Sequence, residues 1–197
     1  KVSTKIQLLE SLLDKVDILI PGGGIANTFL QAQGFAIGQS LCEPELIPLA
    51  KRLLARAEAT QTTLFLPQDV RVATEFSADA NSTVRELNDI HPDEMILDVG
   101  PATAALYAGI MSQAGTIVWN GPVGVFEFPA FASGTQALGH AIADSPAYTS
   151  AGGGDTLAAL TRFNLTTTID YVSTGGGAFL SFLQGDTLPA VAVLNRK

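Results

Sequence analysis

The sequence is poor in cysteine and histidine. It has 1 cysteine, Cys42, and 2 histidines, His91 and His140, among 197 residues. A single cysteine forms no internal disulfide, and the lack of a Cys/His cluster excludes a structural zinc site. No Ser-His-Asp set suggests itself either. A reducing compartment is therefore expected, and the cytoplasm is the predicted location.

Long apolar runs and basic charge are also scarce. No stretch approaches the roughly 18 to 20 apolar residues of a membrane span, and no signal peptide is visible. The chain carries 19 acidic against 11 basic residues, which argues against nucleic acid as a partner. We therefore expect neither a membrane nor a nucleic-acid partner. The chain opens on Lys1 without an initiator methionine, and we expect it to be part of a longer polypeptide.

The remaining composition is typical of an α/β protein. Hydrophobic residues make up 47% of the chain, charged residues only 15%, and there are 19 glycines. This balance favours a buried parallel sheet over a disordered or coiled-coil protein. No Pro-rich or Ser-rich linker and no repeat divides the sequence, so residues 1–197 are predicted to form one domain. The predicted fold is a Rossmann-like parallel sheet with helices on both faces.

Short apolar runs alternate with helical patterns along the chain. Strands are predicted at 16–20, 63–66, 95–99, 116–119, 147–151 and 169–173, and helices at 6–13, 25–30, 45–59, 102–114, 131–144, 157–160 and 178–184. Residues 68–88 are predicted to form an edge hairpin or an irregular excursion. Right-handed crossovers between such strands produce a parallel sheet, with every glycine loop at the carboxyl end of a strand.

Three glycine triplets follow predicted strands and open predicted helices. They occupy residues 22–24, 152–154 and 175–177. Together with the turn at Gly100 and the loop that begins at Asn120, they are expected to line one rim of the sheet. Glycine lets the backbone approach a ligand, and the start of a helix presents free N–H groups. The rim is therefore predicted to bind an anion.

The second triplet leads into Asp155 and Thr156. Asp155 is an acceptor-only side chain that suits phosphates if Mg²⁺ bridges the two, and Thr156 adds a hydroxyl donor. Alternatively, Asp155 caps the helix and the glycines only permit a tight turn. Neither the dinucleotide fingerprint G-x-G-x-x-G nor the P-loop motif is present. Their absence disfavours a nicotinamide-binding Rossmann domain and an ordinary P-loop NTPase.

Three further charged residues are either functional or simply exposed to solvent. Lys1 and Lys5 lie four residues apart, on one side of the first helical turn, and the simplest interpretation is a solvated pair. Glu127 follows a Gly-Pro-Val-Gly turn, where it is either a ribose acceptor or a loop carboxylate. The residues alone leave these alternatives open.

Seven segments, in this order, resemble the carboxyl-terminal half of the phosphoglycerate kinase family. They are residues 1–5, 21–30, 66–70, 97–101, 118–127, 152–156 and 173–183. The strings V-W-N-G-P-V-G-V-F-E and G-G-G-D-T are together highly specific, and the resemblance spans essentially the whole chain. The ending at 188–191 is similar to that of bacterial members.

The resemblance implies a two-domain, Mg²⁺-dependent kinase of glycolysis. Such an enzyme transfers a phosphoryl group between 1,3-bisphosphoglycerate and ADP, giving 3-phosphoglycerate and ATP. This chain would be the half that binds ADP or ATP, and it would be a monomer. It would be inactive alone, because the amino-terminal half that binds phosphoglycerate is absent from this sequence. The alternative is a stand-alone nucleotide-binding module without turnover.

The resemblance also implies the site residues. Lys1, Gly154 and Gly176 would be catalytic, with Lys1 neutralising the migrating phosphoryl group, and Asp155 would carry Mg²⁺. The nucleotide would be held by Lys5, Gly153, Gly154, Asp155 and Thr156 at its phosphates, by Glu127 at its ribose hydroxyls, and by Gly23, Gly24 and Gly100 at its base. These roles suit phosphoryl transfer, because its loose transition state needs positioning and positive charge more than covalent help.

Overall fold

Helices, short strands and the loops between them make up residues 8–194, the part of the chain that the computed structural model describes. The strands are β1 (Ile18–Leu19), β2 (Thr63–Leu64), β3 (Asp69–Ala73), β4 (Thr83–Glu86), β5 (Met95–Val99), β6 (Thr116–Trp119), β7 (Tyr148–Gly152) and β8 (Tyr171–Ser173). The helices are α1 (residues 8–12), α2 (Gly23–Ala32), α3 (Ile47–Thr60), α4 (Pro101–Met111), α5 (Ser133–Ala143), α6 (Gly154–Arg162), α7 (Gly177–Gln184) and α8 (Pro189–Leu194). Within this range, no helix combines the length and the apolar character needed to cross a membrane.

The strands pair in three small sheets. β1 lies parallel to β2, and β6, β7 and β8 form a parallel sheet in that order. Helices pack beside them, α2 against α3 and α4 against α5. The predicted α/β class, with parallel strands flanked by helices, is confirmed. In each parallel sheet the strands end at a common edge, which is where such folds bind ligands.

Strand β5 does not join a parallel sheet. It pairs antiparallel with β3, which also pairs antiparallel with β4. The hairpin predicted within residues 68–88 is therefore confirmed by β3 and β4. The prediction that residues 95–99 lie in the parallel sheet is wrong. No α-helix separates β3, β4 and β5, whereas parallel pairing needs a crossover of a dozen or more residues, which is usually helical.

The buried faces of β6 and β7 meet the helices in the largest apolar core. On β6, Ile117 and Trp119 are buried and the two residues that alternate with them are exposed, as expected when successive side chains point to opposite faces. This core also contains Tyr107, Phe126, Leu138, Ile142 and Leu160. A second core between α1, α2 and α3 contains Leu13, Phe29 and Leu53.

The start of helix α4 is held by Asp69 on β3. The Asp69 carboxylate accepts hydrogen bonds from the backbone N–H groups of Ala102 at 3.0 Å and Thr103 at 2.7 Å. Pro101 occupies the first helical turn, where its missing N–H costs nothing. A Cβ atom on Gly100 would lie only 2.2 Å from Cγ of Asp69. Glycine is therefore required where the chain leaves β5 and enters α4.

Candidate functional site

The loops that follow β6, β7 and β8 meet at the carboxyl edge of their parallel sheet. They enclose a cavity of about 200 Å³. It is lined by Asn120, Gly121, Gly153, Gly154, Asp155, Thr156, Gly176, Gly177 and Leu180. The structure thus brings together the second and third glycine triplets and the loop of residues 120–127, here named the site loop.

Helix α6 begins at this cavity with unpaired backbone donors. Gly153 precedes the helix at φ 97°, a left-handed conformation that favours glycine. The first intrahelical bond runs from the N–H of Leu157 to the carbonyl of Gly153, at 3.0 Å. Among the described residues, nothing accepts a hydrogen bond from the N–H groups of Gly154, Asp155 and Thr156. These donors and the positive end of the helix dipole favour an anion.

The Thr156 hydroxyl links the site loop to the end of β7. Thr156 is 1% exposed, its hydroxyl donates to the carbonyl of Gly152 at 2.8 Å, and it accepts the N–H of Gly121 at 2.7 Å. The side-chain amide of Asn120 donates to the same Gly152 carbonyl at 2.6 Å. A hydroxyl group has one proton to donate. The backbone N–H of Thr156, rather than its hydroxyl, is therefore the donor that remains free.

Helix α7 also begins at the cavity. Gly176 precedes it with φ 54°, and the carbonyl of Gly175 accepts the N–H of Ala178 at 3.0 Å. The ring of Phe179 packs so closely on β7 that a Cβ atom on Gly152 would lie 2.4 Å from it. Gly152 therefore lets α7 approach β7. As a result, the amino-terminal ends of α6 and α7 both border one cavity.

The first triplet and the Gly100 turn are absent from the lining of this cavity. A Cβ atom on Gly22 would lie 3.0 Å from the carbonyl oxygen of Pro122, so the first triplet adjoins the site loop. Gly23 has φ 56° and Gly24 faces Leu41 at the start of α2. Gly100 ends β5, which pairs antiparallel with β3, so its predicted place at the end of a strand of the parallel sheet is wrong.

Glu127 lines a second, shallow cavity of about 540 Å³. The other lining residues are Phe126, Leu157, Ala158, Thr161 and Arg162. Arg162 donates from Nη1 to the backbone carbonyl of Glu127 at 3.3 Å. The two cavities border successive residues of α6, first Asp155 and Thr156, then Leu157 and Ala158. Glu127 thus borders α6 farther along the helix than the first cavity does.

The Asp155 carboxylate is exposed at the mouth of the first cavity. Among residues 8–194, no group forms a hydrogen bond or an ion pair with it. In the same range, no three His, Cys, Asp or Glu side chains come together as a metal site. One free carboxylate beside an anion seat fits Mg²⁺, which in nucleotide enzymes is bound by one or two carboxylates together with substrate phosphates.

Two predicted residues, Lys1 and Lys5, lie outside the described part of the chain. Conversely, Asn120 and Asp98 shape the site although neither is among the predicted site residues. Asn120 could have been found from the Asn-Gly-Pro string after a buried strand. Asp98 could have been noticed as the one charged residue in the apolar run of β5. It is 1% exposed, and this burial raises the pKa of its carboxyl group to about 7.

Comparison with known proteins shows which family this chain resembles. The family model "Phosphoglycerate kinase" matches residues 1–186. Among curated proteins, the chain is 59% identical over its full length to the phosphoglycerate kinase of Coxiella burnetii and 57% identical to that of Nitratidesulfovibrio vulgaris, and it covers 50% of each.

Solved structures give the same result. The phosphoglycerate kinase structure from Coxiella burnetii matches 98% of this chain with a TM-score of 0.95 and 60% identity, and the one from Pyrococcus horikoshii OT3 matches 98% with a TM-score of 0.78 and 33% identity. The match covers 50% and 49% of those chains. This chain therefore spans about half the length of the relatives it matches. With the family model matching residues 1–186, the chain belongs to the phosphoglycerate kinase family.

Proposed function

We propose that this protein supplies the nucleotide-binding half of a phosphoglycerate kinase. The reaction transfers a phosphoryl group between 1,3-bisphosphoglycerate and ADP, giving 3-phosphoglycerate and ATP. The observation that carries the proposal is the cavity where α6 and α7 both begin, with three free N–H groups and an unpaired carboxylate at its edge. That combination of backbone donors with one carboxylate suits a polyphosphate accompanied by a divalent cation.

The backbone at the start of α6 is proposed to hold the nucleotide phosphates. Gly153, Gly154, Asp155 and Thr156 act there through their main chain, because the Thr156 hydroxyl already makes two hydrogen bonds. Gly154 and Gly176 lie on the two helix starts that face the cavity. Their N–H groups are suitably located to stabilise negative charge on the migrating group.

Asp155 is proposed to hold Mg²⁺, which would supply positive charge to the phosphate oxygens. Glu127 is proposed to accept hydrogen bonds from the ribose hydroxyls, and Gly23, Gly24 and Gly100 to border the base. Support for Glu127 comes from its location beside α6, the helix whose first turn carries the phosphate donors. The proposed role of the three glycines rests on the family resemblance and on their location at strand ends.

The acceptor substrate is proposed to bind outside this chain, because the relatives are about twice as long. Residues 1–197 are then one nucleotide-binding domain that lacks turnover alone and acts in the cytoplasm. The second candidate, a nucleotide-binding module without any kinase role, shares the same cavity and differs only in the activity of the complete gene product.

The central test measures binding and turnover separately. Calorimetric titration of the 197-residue chain with Mg·ADP is expected to show one binding site. The same preparation, mixed with 3-phosphoglycerate and Mg·ATP, is expected to give no product above background because both substrates must be held in line. The complete gene product is expected to turn over. Turnover by the 197-residue chain would contradict the proposed division, and an inactive complete gene product would favour the module.

Asp155→Ala is predicted to weaken nucleotide binding mainly when Mg²⁺ is present. The carboxylate contributes through the cation, so its removal costs the metal-bridged contact and leaves the backbone donors in place. A loss of tenfold or more in Mg·ADP affinity is expected, equivalent to about 1.4 kcal/mol. The measurement is titration calorimetry with ADP, with Mg²⁺ and with a chelator.

The matched control for this experiment is Asp79→Ala, which removes an exposed carboxylate from the chain between β3 and β4. It is expected to leave both affinities unchanged. If Asp155→Ala lowered the affinity equally with Mg²⁺ and with the chelator, the metal role of Asp155 would be wrong.

Thr156→Val is predicted to lower both the stability of the chain and its affinity for Mg·ADP. The substitution leaves the Gly121 N–H without its buried acceptor, which costs on the order of 1–3 kcal/mol. Thr156→Ser keeps the hydroxyl and is expected to restore most of both losses. Urea unfolding and calorimetry provide the two measurements.

A direct contact between the Thr156 hydroxyl and phosphate makes a different prediction. In that case Thr156→Val would weaken Mg·ADP binding and leave unfolding unchanged. Thr60→Val serves as the control, because its hydroxyl also bonds to helix carbonyls, at 3.0 and 3.3 Å, on the remote helix α3.

Lys1 and Lys5 are predicted to have separable roles in the complete gene product. Lys5, proposed to contact the ground-state phosphates, should mainly set KM for ATP, whereas Lys1, proposed to neutralise charge that develops during transfer, should mainly set kcat. Lys1→Ala is expected to lower kcat by about two decades, or on the order of 3 kcal/mol. Steady-state kinetics of both alanine variants measure this. A raised KM with an intact kcat for Lys1→Ala would refute its transition-state role.

A further inference from the structure

Asp98 lies on β5 where the site loop and the start of α5 come together. Its carboxylate accepts hydrogen bonds from the N–H of Gly134 at 2.8 Å, the N–H of Val99 at 2.9 Å and the hydroxyl of Ser133 at 3.4 Å. The side chain is 1% exposed. A buried carboxylate with three donors therefore links β5 to the first turn of α5.

The site loop rests on the same carboxylate. A Cβ atom on Gly124 would lie 2.2 Å from Oδ1 of Asp98, and one on Gly134 would lie 2.3 Å from it. Only glycine permits this approach at both positions. The neighbouring Val125 donates its N–H to the carbonyl of Leu97, at 2.7 Å. The middle of the loop is thus held by the β5 backbone and by the Asp98 side chain.

We propose that Asp98 is a positioning residue of the nucleotide site, whose carboxylate sets the position of the site loop and, through it, of Asn120 and Glu127 at the two ends of that loop. The expected effect of Asp98 on nucleotide affinity rests on the proposed nucleotide function. The contacts that carry it, between Asp98, Gly124 and Gly134, lie outside both cavities.

The ionised carboxylate holds its three donors more strongly than the protonated acid does, because hydrogen bonds to a charged acceptor are the stronger ones. Three donors point at Asp98, and a carboxylate is acceptor-only. Protonation removes that charge and turns one oxygen into a donor, for which the Ser133 hydroxyl is the acceptor within reach. Arg71, its cross-strand neighbour on β3, supplies positive charge. The site loop and the start of α5 meet Asp98 with Gly124, Ser133 and Gly134, which carry no charge.

Stability and nucleotide affinity should then respond to pH in opposite directions. Burial raises the pKa of Asp98 to about 7, above its ordinary 3.8. A carboxyl group with a raised folded-state pKa contributes stability that is fully present below pH 3.8 and is lost as pH rises through 7. The loop, by contrast, is best held when Asp98 is ionised, above pH 7. A purely structural role would not produce this opposition.

The test uses the single tryptophan of the chain, Trp119, as a probe of the site loop. Its indole Nε1 donates to the carbonyl of Gly121 at 2.8 Å. In the wild type, its fluorescence without nucleotide is expected to titrate with a midpoint near pH 7. Affinity for Mg·ADP should fall on the order of fivefold between pH 8.5 and pH 5.5, while thermal stability changes the opposite way.

Asp98→Asn is expected to abolish the fluorescence titration. It should also abolish the change in Mg·ADP affinity between pH 8.5 and pH 5.5 that remains after protonation of ADP itself is subtracted. Glu94→Gln is the control, since Glu94 is also buried and accepts a backbone N–H, from His91, and its carboxylate pairs with Arg85 rather than with the site loop. It should keep the wild-type pH profiles. If Asp98→Asn does not fold, Arg71→Met replaces it, and its fluorescence midpoint should move to higher pH because a neighbouring positive charge is removed.

A fluorescence profile of Asp98→Asn that matches the wild type, or an unmoved midpoint in Arg71→Met, would overturn the inference. Nucleotide binding that is absent at every pH, with the Trp119 titration intact, would overturn the proposed function and leave the placement of the loop by Asp98 supported. The two failures are therefore distinguishable.

Discussion

The hydrogen bonds of the Thr156 hydroxyl are the interaction on which the candidate site depends. One oxygen accepts the N–H of Gly121 and donates to the carbonyl of Gly152, so the site loop, the end of β7 and the start of α6 hold one another. Asn120 adds a second bond to the same carbonyl. The Asn120 and Thr156 side chains thus bond to the backbone of the site loop and of β7, and the first N–H groups of α6 stay free for a ligand. A site built in this way needs little reorganisation when a charged ligand arrives.

Much of this arrangement follows from local patterns in the sequence. Strand and helix alternate in short segments whose apolar periodicity is clear, and each glycine triplet stands between the two. Parallel pairing then brings the ends of β6, β7 and β8 to one edge without any knowledge of contacts. That the second and third glycine triplets border one cavity was therefore predictable from the order of strands and helices and from composition alone.

The remaining features depend on partners that are distant in sequence. The pairing of β5 with β3 depends on the absence of a helix between them, which a run such as Met-Ile-Leu-Asp-Val does not reveal. Thr156 meets Gly121 from 35 residues away, so its motif predicts a free hydroxyl that the folded chain has already used. Asp98 likewise meets Gly134 across 36 residues. A charged residue in a strand indicates an unusual environment but not which groups supply it.

The shared cavity at the starts of α6 and α7 has an electrostatic consequence. Each helix carries roughly half a positive charge at its first turn, and both ends border the same small volume. Two like partial charges repel each other there, as would two cations confined to one pocket. An anion between them would attract both positive ends and would also accept hydrogen bonds from their N–H groups. The affinity of such a pocket for an anion thus includes attraction to both helix ends at once, which outweighs the repulsion between them.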